Sequence, residues 1–100
     1  MTYPNFEDDM KNFVSDAHNF LEEAFTLTVI RPVESYLKQL ELIKTGIKLM
    51  RQTNNGDEAI TIGTYLKALN TPDRVLLSLI EELLFKGVVF HFPEEVEPDV

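Results

Sequence analysis

The chain has 100 residues, with 17 Asp and Glu against 9 Lys and Arg, a formal charge of −8 with both histidines neutral. That length suits a single domain with a modest core, and an apolar share of 44% is too high for a disordered acidic chain. The absence of cysteine excludes a disulfide framework, a thiolate nucleophile and a cysteine-based zinc site, and the excess of acid opposes nonspecific binding to nucleic acid or to an anionic membrane.

The first ten residues are polar and acidic, without the basic start and apolar run of a signal peptide. The unbroken apolar runs, such as residues 75–77 and 88–90, are three residues long, so no segment is expected to span a bilayer. The expected location is the cytoplasm.

A first helix is expected over residues 5–30. Asn5 suits an N-cap, and Glu7, Asp8 and Asp9 suit the positive end of the helix dipole. Phe6, Met10, Phe13, Ala17, Phe20, Ala24 and Leu27 recur at alternating spacings of four and three, a helical stripe widened by Val14, Leu21 and Phe25. The β-branched run from Thr26 to Ile30 should fray or bend this helix. Pro32 breaks it, because proline cannot donate to an incoming helix and pushes Arg31 toward extended backbone.

A second helix is expected over residues 32–52, with Pro32 at its favoured first position. Its apolar set is Val33, Tyr36, Leu40, Ile43, Ile47 and Met50, widened by Leu37. The two helices should pack as an antiparallel pair, each using its stripe as a core face. Residues 53–57, Thr-Asn-Asn-Gly-Asp, are expected to form a turn or loop.

Residues 58–92 read as strand, helix, turn, helix, strand. Ile60, Thr61 and Ile62 are β-prone, and residues 63–69 hold about two helical turns. Thr71 is the expected N-cap and Pro72 the first helical position of a helix over residues 74–86, closed by Gly87. Residues 88–92 have strand propensity and Pro93 ends them. The tail, residues 93–100, is acidic and proline-bearing, with too little apolar surface to pack. The expected fold is mainly α with a small two-stranded β element: a helical hairpin packed on residues 58–92, all in one domain.

This order of elements resembles the winged helix-turn-helix module. Residues 60–62 look like its first strand, residues 63–69 its positioning helix and residues 74–86 its recognition helix, with residues 87–89 entering the wing. The resemblance implies DNA binding or, equally for this fold, protein interaction. The polar positions of the recognition-like helix decide between them. They are Asp73, Arg74, Ser78, Glu81, Glu82 and Lys86, and the three carboxylates repel phosphate where a DNA reader presents cations. No return strand follows Phe92. The surface favours a protein partner.

Charge is segregated along the chain: −5 over residues 1–30, +3 over 31–56, −2 over 57–92 and −4 over 93–100. Lys44, Lys48 and Arg51 share one helical face, a docking stripe for an acidic partner or, more simply, a solvated face balanced by the acidic first helix. With Arg74, Ser78, Glu81 and Glu82 they are the candidate partner-binding residues. Phe6, Phe13, Phe20 and Phe25 are the candidate dimer face, since one neighbouring helix does not readily cover so much apolar surface. His18 and His91 lack a partner motif, no nucleophile elbow or phosphate loop is present, and no spacing suggests a metal, so neither catalysis nor a cofactor is expected. The expected function is non-catalytic protein interaction or regulation by a small homodimer. A winged-helix DNA-binding regulator and an acidic decoy of a nucleic-acid-binding protein are the alternatives.

Overall fold

A computed structural model describes residues 4–91, and the acidic tail and Phe92 lie outside the described residues. Among the described residues the chain forms four helices: α1 (Phe6–Ile30), α2 (Pro32–Gln52), α3 (Gly56–Ala68) and α4 (Asp73–Phe85). Helix α1 stays helical through its β-branched end. The chain leaves the helix only at Arg31 (φ −136°, ψ 70°), where the ring of Pro32 forbids continuation. One residue therefore separates α1 from α2.

Among the described residues the expected two-stranded β element is not present. Ile60, Thr61 and Ile62 lie within α3, and residues 88–91 have no regular secondary structure. Two features, a cap and a buried face, favour the helix over the β propensity of this run. The Asn55 side chain accepts hydrogen bonds from the backbone of Asp57 (2.8 Å) and Glu58 (3.2 Å), a strong N-cap. Thr61 and Thr64, exposed on the outer side of this helix, each donate their hydroxyl to the carbonyl four residues back. Ala59, Ile62, Leu66 and Leu69, spaced three, four and three, are fully buried on one face. Burial at helical period outweighs propensity here.

Helix α3 ends in a reverse hydrogen-bond closure, with Thr71 N–H donating to the Leu66 carbonyl (3.0 Å) and Asn70 in the left-handed region (φ 66°). Helix α4 ends the same way at Gly87 (φ 85°), as expected for a C-cap glycine. The start of α4 differs by one residue from expectation. Pro72 is the cap, and the hydroxyl of Thr71 is buried with no hydrogen-bond partner.

The core lies where α1, α2 and α3 meet. Phe6, Phe13, Ala17 and Phe20 of α1 pack with Leu42, Leu49 and Met50 of α2 and with the buried face of α3. Gly46 makes the approach possible. A β-carbon there would stand 2.5 Å from Leu66 Cδ2 and 2.9 Å from Phe13 Cζ. The Phe13 ring meets Tyr65 edge-on, with centroids 6.2 Å apart. Helix α4 closes the core with Leu79 and Leu83.

Candidate functional site

The expected dimer face is divided by this packing. Phe6, Phe13 and Phe20 are buried inside the chain, because α3 joins α2 in covering α1, while Phe25 is 82% exposed. Three of the four phenylalanines are thus core, and only Phe25 can meet a partner. The α2 stripe is corrected in the same way. Its buried face is Ser35, Leu42, Gly46, Leu49 and Met50, whereas Val33, Tyr36, Leu37 and Leu40 face solvent.

The cause is a difference in length. Helix α3 runs thirteen residues and ends beside the middle of α2, where the Gln39 side-chain amide donates to the Leu69 carbonyl at 2.6 Å. Beyond that point, among the described residues, large apolar side chains of α1 and α2 are left exposed. Ala24 and Leu27 are half-buried against α2, and the hydroxyls of Thr28 and Ser35 lie 3.4 Å apart between the helices. This arm, residues 21–41, leaves Phe25, Val29, Ile30, Val33, Tyr36, Leu37 and Leu40 exposed.

Most of these side chains share one side. On α1, Met10 and Val14 line a cavity of 640 Å³ with Tyr65 of α3, and the same helical flank continues through Leu21 and Phe25 to Val29. On α2, Ile47, Ile43, Leu40, Tyr36 and Val33 continue the flank that meets α4 lower down, where Arg51 pairs with Glu82 at 3.5 Å. The bare face is therefore the upward extension of the face that α3 and α4 cover. Between Ala24 and Val33 the only charge is Arg31, which pairs with Glu34 at 3.2 Å. The sequence signal for this patch was that charge-poor stretch at the helix corner.

The basic stripe is balanced by nearby acids. Lys44 lies 3.8 Å from Glu41, and Lys48 borders a surface depression with Asp9 and Asp16 of α1. Arg51 reaches Glu82, and Lys86 donates to the Arg51 carbonyl at 2.7 Å, so these cations join α2 to α4. All three stripe cations remain exposed, as do Arg74, Ser78 and Glu81 on α4. Of the expected partner-binding residues the structure brings together Arg51 and Glu82. Arg74 and Ser78 stand apart from the basic stripe on α4, beside exposed Leu77.

A second apolar feature is the groove between α3 and α4, a cavity of 560 Å³ bordered by Met50, Ile60, Gly63, Leu76 and Ile80. Among the described residues no cluster of His, Asp and Glu could hold a metal ion, and no helix is long and apolar enough to cross a membrane. His18 is exposed and pairs with Glu22 at 3.0 Å, a contact along one helix face. The chain matches no protein-family model, no curated protein and no solved structure.

Proposed function

We propose that the protein is a non-catalytic interaction or regulatory protein that works by binding another protein chain through the bare face of the α1–α2 arm. The observation that carries this reading is the set of large apolar side chains exposed on residues 25–40, five of which, Phe25, Val29, Val33, Tyr36 and Leu40, share one face. Monomeric soluble proteins rarely leave a patch of this extent to water, and a large one marks an interaction surface. The patch also has the composition of an interface core, with two aromatic residues and few charges. The segregated charge supports a protein partner over nucleic acid, because the cations of the basic stripe, Lys44, Lys48 and Arg51, already face carboxylates of the same chain.

A photo-cross-linking amino acid placed at position 25 in the native cell tests this reading. A covalent adduct with a protein, absent when the same group is placed at exposed Arg74, is the expected result. Irradiation that yields no adduct at position 25 contradicts it.

A further inference from the structure

The arm's face is bare because α3 stops at Leu69, and the shape of that gap constrains what can fill it. Helices α3 and α4 stand on the same side as the face, so an occupant must enter from the free end of the arm and meet the end of α3. The exposed part of α1, residues 21–30, is ten residues long, about 15 Å of helix. An occupant of that length, apolar on one side and two helices wide, completes a four-helix layer arrangement. The arm itself has those dimensions.

We propose that the occupant is a second copy of this chain, with the two arms packed face to face and antiparallel. This deepens the interaction reading above and rests on it. Antiparallel entry places the two copies of α3 and α4 at opposite ends of the paired arms, where they do not collide. The two-fold axis then passes near Phe25 and Tyr36, so that each meets its own counterpart, and Val29 and Val33 lie over the roots of the partner's arm. Such an interface is isologous, the commonest form of soluble dimer.

Area supports the assignment. The five side chains on that face, Phe25, Val29, Val33, Tyr36 and Leu40, together expose on the order of 600 Å², taking roughly 200 Å² for a large side chain and their fractional exposures. A standard interface buries about 800 Å² per partner. The arm alone therefore supplies most of a standard interface and passes the roughly 1,000 Å² in total that separates a biological interface from a chance contact. Charge at the centre does not oppose it: residues 24–30 carry no charge, and Arg31, at the free end of the arm, is paired with Glu34 in its own chain.

Sedimentation of the whole chain tests the proposal, using Phe25→Asp and Tyr36→Asp as arm variants and Val89→Asp as a control on another exposed apolar residue. All three positions are exposed, and unchanged helical circular dichroism establishes that each variant is folded. The wild type and Val89→Asp are expected at twice the 11.5 kDa chain mass at tens of micromolar. The arm variants are expected at the single-chain mass, with the dissociation constant raised roughly thirtyfold or more, as for loss of a central aromatic anchor. A wild type that stays monomeric at several hundred micromolar, or arm variants that remain dimeric, overturns the second-copy assignment. A monomer combined with a position-25 adduct to a different protein overturns this assignment while leaving the interaction reading in place.

Discussion

Gln39 and Leu69 stand thirty residues apart in the chain, and the Gln39 side-chain amide donates to the Leu69 carbonyl across 2.6 Å. This contact fixes the end of α3 against α2 and marks where the four-helix body gives way to the two-helix arm. Gln39→Ala removes the donor from a half-buried carbonyl and is expected to cost about 1 kcal/mol. The urea midpoint should fall accordingly, and an unchanged midpoint would show that the contact contributes nothing.

Two glycines in helices respond in opposite directions to the same substitution. Alanine is favoured over glycine by up to about 1 kcal/mol inside a helix. At Gly63 the new methyl meets only Met50 Cε at an ordinary 3.5 Å, so Gly63→Ala should raise the melting temperature. At Gly46 it would stand 2.5 Å from Leu66 Cδ2, with Phe13 also too close, so α1, α2 and α3 must spread. Overpacking of this kind costs roughly 1–3 kcal/mol, and Gly46→Ala should lower the melting temperature.

The phenylalanines of α1 should separate cleanly by truncation. Phe13 is fully buried against Tyr65 and the α3 face, and Phe13→Ala is expected to cost about 3–5 kcal/mol. Phe25 is 82% exposed, and Phe25→Ala should change the stability of the isolated chain by no more than about 0.5 kcal/mol. Denaturant unfolding at submicromolar concentration, where the proposed dimer is dissociated, reads both values. Equal losses would contradict the placement of Phe25 outside the core.

Asn70 holds the left-handed backbone (φ 66°) that closes α3. Asn70→Gly should be neutral or slightly stabilising, because glycine reaches that region freely. Asn70→Val should cost on the order of 1–2 kcal/mol, since a β-branched residue is strained there. The comparison is read as the difference in thermal midpoint between the two variants, and a valine variant as stable as the glycine variant would contradict the assigned closure.

The helical hairpin is legible in the sequence because its signals are local. Pro32 and Arg31 set the corner, and the spacing of Phe6, Phe13, Ala17 and Phe20 sets the buried face of α1. Gly87 is legible for the same reason, since a positive φ at a helix end favours glycine. Residues 60–62 mislead because their β-branched composition carries no sign of the burial that α1 and α2 impose on Ala59, Ile62 and Leu66. The candidate interface is half legible. Its apolar residues are visible on α2 as a regular stripe, Val33, Tyr36 and Leu40 among them, yet periodicity cannot tell a covered stripe from a bare one. That distinction depends on where α3 stops, and α3 stops at a contact between Gln39 and a backbone carbonyl thirty positions away.

The proposed dimer covers the bare face of the arm with another copy of itself, about an axis near Phe25 and Tyr36. The natural chain has no cysteine, so single-cysteine variants report one position each. Under mild oxidation, Phe25→Cys and Tyr36→Cys should each form a disulfide-linked pair of chains, while Lys48→Cys, on the basic stripe, should remain a single chain. Position 48 cross-linking as readily as positions 25 and 36, or no cross-link at either arm position, would contradict the account.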